Sequence, residues 1–213
     1  MNHPRYIFIE FLLLCVALPT VIILGRLAPL MFPLLWAAAL YCLLIFIRVA
    51  RPDWKNIWNW QAINLRNLRP IMLRFAAAAI GIILFTWAYD PDRLFSLFYT
   101  RPDIIPRIMV FYPLLSALPQ EFIFCTFFFW RYAVFFPQPR AMIFASALVF
   151  AFAHVLFINP VAPPLSFIAG LIFAQTYQKT RSLALVTLEH GFYGNALFLI
   201  GLGWYFYHGA MGP

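Results

Sequence analysis

The sequence predicts an all-α fold, a polytopic transmembrane helical bundle of about seven spans. Three observations lead there. Residues of the set AVILMFWYC make up 64% of the 213 residues, charged residues only 10%, and the mean hydropathy is +0.84. Soluble domains are about half apolar and about a quarter charged. Apolar runs long enough to cross a bilayer recur at about 7–24, 28–47, 71–88, 106–129, 141–158, 161–178 and 183–206. None of them alternates as a membrane-barrel strand would, which leaves helices as the form that satisfies the backbone in lipid. A domain of this length has too little interior to hide so much apolar surface, so the excess faces lipid. Disorder, collagen-like repeats, coiled coil and a secreted disulfide scaffold are excluded by the same composition.

The first run is about 17 residues long and lacks a small-residue cleavage site, so it is expected to be a retained span. Gly25-Arg26 joins it tightly to the second run, and Asn159-Pro160 joins the fifth to the sixth. Residues 48–70 mix Arg48, Arg51, Lys55, Arg66 and Arg69 with Trp54, Trp58 and Trp60. That mixture suits an amphipathic stretch in the headgroup region of an anionic leaflet. Cys15, Cys42 and Cys125 lie inside apolar runs and are expected to be buried thiols. A single membrane unit is expected, with N-terminal helices over 1–105 and a functional helical core over 106–206.

With the N-terminus inside, a seven-span arrangement leaves Arg26, Arg93, Arg101 and Arg107 outside and the other eleven of the fifteen Lys and Arg inside. The positive-inside rule therefore predicts a cytoplasmic N-terminus and an integral protein of a bacterial inner membrane. The net charge of +8 has the same origin. No nucleic-acid partner is expected, and the lipid bilayer is the surrounding medium. Oligomeric state is not encoded in any pattern of the chain.

Asp53, Asp90, Asp92 and Asp103 fall in loops, Glu10 near the start of the first run, and His3 and His208 at the termini. Glu121, His154, Glu189 and His190 are embedded in apolar runs, where ionisable groups are costly and face a protein interior or a watery cavity. Measured by helix rise, Glu121, His154 and His190 lie roughly 15, 21 and 13 Å from Arg131, Arg140 and Arg181 at the inner ends. A carboxylate and two imidazoles from three helices at similar depth can form a water-activating site. Depth alone leaves two other readings open: hydrogen-bonding ties between helices, or a proton-coupled carrier, although the inverted halves of a carrier are not visible.

At these residues the chain resembles the CPBP family of intramembrane proteases, which includes CAAX prenyl proteases and bacteriocin-processing or abortive-infection proteins. The family carries three helical motifs, EExxxR, FxxxH and HxxxN or HxxxD. Pro119-Gln120-Glu121-Phe122-Ile123-Phe124-Cys125 is similar to the first, Phe150-Ala151-Phe152-Ala153-His154 fits the second, and His190-Gly191-Phe192-Tyr193-Gly194-Asn195 is similar to the third. The resemblance covers about residues 106–200. It implies an endopeptidase in which Glu121 and His154 activate a water, while His190 and Asn195 stabilise the oxyanion. Gln120, Phe150 and Glu189 would support them. The implied substrate is a peptide or membrane protein. No cofactor is implied, and no metal is expected because HExxH-type spacing is absent.

The departures from the motifs are specific. Gln120 stands at the first glutamate, Cys125 at the arginine, and Asn195 falls five residues after His190, with Gly194 at the fourth. A family-fold scaffold without catalysis is therefore the alternative function, with the carrier behind it.

Overall fold

The computed structural model describes residues 3–206, so His208 lies outside the described residues. Seven long helices follow one another: α1 (Pro4–Leu24), α2 (Ala28–Ala50), α3 (Leu65–Tyr89), α4 (Pro102–Arg131), α5 (Pro139–Phe157), α6 (Ala162–Thr180) and α7 (Leu183–Ile200). All but α6 are long and apolar enough to cross a membrane. The α6 helix fills the sixth apolar run, but Pro163, Pro164, Ser166, Gln175, Gln178 and Lys179 lower its hydropathy. Among the described residues there is no strand. The fold is the polytopic helical bundle that composition and run length predict.

The two tight hairpins form as expected. Arg26 turns the chain after α1 in the left-handed region (φ 51°). Between α5 and α6, Asn159 Oδ1 accepts from the amides of Val161 and Ala162, and its Nδ2 donates to the Tyr205 carbonyl. One side chain thus caps α6 and ties it to the end of the chain. The α5 and α6 helices pack along their lengths, with Gly170 against Ala147, where small residues let the backbones approach. The most enclosed span is α7, with 61% of its apolar stretch buried against 17% for the peripheral α3.

Residues 48–70 are divided. The α2 helix ends at Ala50, a short helix spans Trp54–Trp58 with Asp53 as its cap, and α3 begins at Leu65 with Asn64 as its cap. The loop is fastened to the α6–α7 turn. Asn59 Nδ2 donates to the Thr180 carbonyl at 2.8 Å, and the Ser182 hydroxyl lies 3.0 Å from the carbonyls of Trp58 and Asn59. The last apolar run also ends earlier than its sequence extent. Gly201 takes φ +125°, where a Cβ would collide with the Arg93 carbonyl, so α7 stops at Ile200 and a short 3-10 turn, Leu202–Phe206, follows.

Two prolines shape α4. Pro113 and Pro119 lack the N–H that the helix would bring to the carbonyls of Met109 and Leu115. The helix is wound as π-helix over Pro113–Ala117 and again over Phe122–Phe127. Side chains serve these carbonyls, as backbone acceptors within a bilayer require. Trp36 Nε1 of α2 donates to Leu115 O at 3.1 Å, and Asn195 Nδ2 of α7 donates to Met109 O at 3.3 Å. The four residues between the two wide segments, Leu118–Glu121, carry Gln120 and Glu121 of the first motif, and Cys125 lies in the second wide segment.

Candidate functional site

A cavity of about 220 Å³ opens in the middle of the bundle. Its α1 and α2 walls are apolar, with Leu14, Leu18, Ile22, Met31, Leu35 and Cys42. Opposite them stand Tyr112, Ser116 and Gln120 of α4, His154 of α5 and His190 of α7. Polar groups thus converge from three helices onto an otherwise apolar chamber, the usual build of a small-molecule or peptide site.

His154 sits where α5 tightens into a 3-10 turn, His154–Phe157, with φ −89° and ψ −4°. That bridge conformation is sparsely populated and recurs at active sites. The tightening frees the Phe150 carbonyl from its helical partner, and His154 Nδ1 takes it at 2.7 Å. Nδ1 therefore carries the proton, and Nε2 is the nitrogen left for a ligand in the cavity. The spacing of four between Phe150 and His154 works twice here, because the Phe150 ring also lies 4.4 Å from the His154 ring and 5.8 Å from that of His190. Phe150 contacts both imidazoles.

His190 is 4% exposed and lies flat on Phe173, with ring centroids 4.5 Å apart and 18° between planes. Its Nδ1 is 2.7 Å from Glu121 Oε1, and its Nε2 is 3.0 Å from the Tyr112 hydroxyl. Glu121 is 1% exposed and approaches His190 from behind the cavity wall. Its other oxygen, Oε2, is buried without a hydrogen-bond partner, and the Cys125 thiol neighbours the carboxylate. Gln120, about 100° round the helix, faces the cavity. There its Nε2 donates to Ser116 Oγ at 2.9 Å, and its Oε1 is buried without a partner.

Besides Glu121, two expected site residues lie outside the cavity wall. Asn195 uses its amide on the Met109 carbonyl that Pro113 leaves open. Glu189, fully buried, pairs with Arg74 of α3 at 2.9 Å, and the same guanidinium nitrogen donates to Thr176 of α6 at 2.9 Å. Arg74 enters from the periphery of the bundle and brings a fixed cation to the Glu189 carboxylate of α7. Sequence reading placed Arg74 among the inner-side charges and did not single out Tyr112 or Ser116. For Tyr112 the available signal was the glycine one turn beyond His190, which leaves room beside the imidazole.

The comparison with known families agrees with the motif reading. Residues 104–197 match the family model described as Rce1-like, type II CAAX prenyl endopeptidase. The matched segment runs from the start of α4 to the last turns of α7 and contains all three motif stretches, while α1–α3 lie outside it. No curated protein and no solved structure matches the chain.

Proposed function

We propose that this chain, whose residues 104–197 match the Rce1-like family model, is a CPBP-type intramembrane endopeptidase that hydrolyses a peptide bond in the central cavity. The observation that carries this reading is the pair of imidazoles, His154 and His190. Both line one chamber and each is held through Nδ1 by an acceptor, which leaves His154 Nε2 for the reaction and turns His190 Nε2 to the Tyr112 hydroxyl. His154 takes a proton from water as its oxygen attacks the scissile carbonyl carbon. Gln120 and Ser116, on the adjoining wall, orient that water. The carbonyl π pair moves onto oxygen, and the resulting oxyanion is stabilised from the His190 side. When the tetrahedral species collapses, the pair re-forms the carbonyl, and the departing amine takes the proton back from His154. One water is consumed, and a carboxylic acid and an amine are released.

Glu121 supplies the negative charge of the site. It orients His190 and balances the charge of an imidazolium there, in the way a buried carboxylate serves a catalytic histidine. Its influence on the water runs through His190, because Oε1 is held by Nδ1 and the carboxylate lies behind the wall. Asn195 braces α4 against α7 and so keeps His190 and the cavity in register. The apolar wall built by α1 and α2 fits a peptide carrying a bulky aliphatic or isoprenoid group near the scissile bond.

A second reading, a family-fold scaffold without catalysis, is favoured by one observation: the residue of the first motif that faces the chamber is Gln120, an amide that cannot take a proton. Purified protein in proteoliposomes with an isoprenylated fluorogenic peptide separates the two. Cleavage lost in His154→Ala supports the protease. A wild type that binds the peptide without cleaving it, whatever stands at position 154, supports the scaffold.

A further inference from the structure

Residue 194 follows His190 by four positions, so a side chain there would stand on the same face of α7, against the imidazole. Gly194 has none. A Cβ added to it would lie 2.0 Å from Cε1 and 2.3 Å from the hydroxyl oxygen of Tyr112. The phenol of α4 occupies the volume that a residue of α7 would otherwise fill. Its placement is firm: the ring meets Phe198 edge-on at 5.4 Å and His190 at 5.9 Å. The next residue, Pro113, opens the π-helical segment and lies against Gly191, where a Cβ would come within 3.1 Å of the proline ring. Glu121, His190 and Tyr112 thereby form one hydrogen-bonded chain, 2.7 Å and then 3.0 Å, from a buried carboxylate to the cavity wall. Asn195, the residue of α7 after Gly194, is committed to Met109 O.

We infer that Tyr112 is the oxyanion donor of this site: the phenol hydroxyl of α4, and not Asn195, meets the carbonyl oxygen of the scissile bond. This rests on the hydrolytic reading above. With both ring nitrogens of His190 protonated, Nδ1–H donates to Glu121 and Nε2–H donates to the phenol oxygen. The phenol proton is then turned toward the chamber. The carboxylate balances the imidazolium, and the linked hydrogen bonds polarise one another, which makes the last donor in the chain the strongest. As the attacking water gives its proton to His154, the carbonyl oxygen gains the π pair and accepts the Tyr112 O–H. When the pair returns and the amine leaves with the proton from His154, Tyr112 still holds its own proton. A preorganised hydroxyl in a low-dielectric chamber stabilises such a charge without reorganising.

The test uses the full chain in proteoliposomes, an isoprenylated peptide ending in an aliphatic tripeptide, and the phosphinic analogue of that peptide, a tetrahedral anion. Tyr112→Phe keeps the ring and its packing and removes the donor. The expected result is a fall in kcat of about 10²–10³-fold with KM changed only a few-fold, the usual effect of deleting one such donor. Affinity for the phosphinic peptide should fall in parallel. In a His154→Ala background, affinity for the parent peptide should be insensitive to the residue at 112. Gly194→Ala leaves Tyr112 in the chain but displaces its ring from His190, and should lower kcat in the same direction. If Tyr112→Phe cleaves and binds the phosphinic peptide like wild type while His154→Ala is inactive, Tyr112 is not the donor and the hydrolytic reading stands. If wild type cleaves nothing and binds the phosphinic peptide no better than the parent peptide, the hydrolytic reading falls and the role of Tyr112 falls with it.

Discussion

Two regions of the bundle each hold a glutamate that water hardly reaches, and they differ in everything else. At the end where α1 meets α4, Glu10 receives Arg131 through two parallel hydrogen bonds, Nε to Oε1 at 2.7 Å and Nη2 to Oε2 at 2.9 Å. Both side chains are 2% exposed. The Tyr41 hydroxyl adds a third contact at 3.3 Å, and neither charged residue lines the central cavity. In the middle of the bundle, Glu121 meets an imidazole through one oxygen, keeps the other without a hydrogen bond, and backs onto a chamber. A guanidinium is always charged and matches a carboxylate in a planar fork, so the first pair is permanent and closed. An imidazole can gain or lose a proton and passes its polarity on to the next group. Burial alone therefore does not mark a site. A titratable partner and open space beside it do.

The largest expected effect lies on the chamber side. His154→Ala should lower cleavage of an isoprenylated peptide by about 10²–10⁴-fold, the range for removing a general base. Its unfolding in mixed micelles should stay close to wild type, since the deleted ring borders a cavity. Full activity in this variant would place the chemistry elsewhere.

Next comes the closed pair. Arg131→Met strands a buried carboxylate and should cost about 3–5 kcal/mol of stability. The fraction that remains folded should keep its kcat. Detergent unfolding and a titrated cleavage assay measure the two separately, and a kcat lost at unchanged stability would erase the contrast between the regions. Replacing both partners, Glu10→Leu with Arg131→Met, should recover much of the loss, because no unpaired charge is left in the interior.

Glu121→Gln is a finer probe. The amide is nearly isosteric and can still accept from His190, so stability should change by only about 1 kcal/mol, the scale of one hydrogen bond. The charge that supports the imidazolium is gone, and activity should fall by about 10²-fold in kcat, within the range for lost electrostatic stabilisation. An equally active Glu121→Gln would make this carboxylate as purely structural as Glu10.

The smallest change is expected from Gln120→Glu. It puts a carboxylate on the cavity wall next to Glu121 with Cys125 where a cation could have stood, and like charges so placed favour one protonated carboxyl. Activity should stay within a few-fold of wild type. Cleavage that appears in Gln120→Glu and is absent in wild type would identify the natural protein as the scaffold.

Much of this arrangement was legible in the sequence because it depends on quantities that add along a chain. Hydropathy summed over some twenty residues marks a span whatever its neighbours do, and the structure has a helix in each of the seven apolar runs. Asn159-Pro160 and Gly25-Arg26 signalled turns through local backbone chemistry. Their place inside apolar runs, together with the family resemblance, singled out His154 and His190, the two imidazoles that line the chamber. The matched residues 104–197 contain both of these side chains.

Direction around a helix was not legible. Which of Gln120 and Glu121 looks into the chamber is a matter of about 100° of rotation. That phase is set by π-helical winding on both sides of Leu118–Glu121 and by Trp36 and Asn195, which hold carbonyls that Pro119 and Pro113 cannot serve. Pairings between distant residues were also out of reach. Glu10 with Arg131, Arg74 with Glu189 and Tyr112 with His190 are separated by 121, 115 and 78 positions. Their choice of partner depends on which helix faces lie together once the bundle has packed. The sequence by itself determined that the chain is a membrane bundle with two imidazoles inside its apolar runs, because apolar length and motif spacing are local. Only the tertiary structure decided that Glu121 stands behind His190, that Gln120 stands at the chamber, and that a phenol from α4 fills the space Gly194 leaves. Each of those depends on the rotation and contact of helices far apart in the chain.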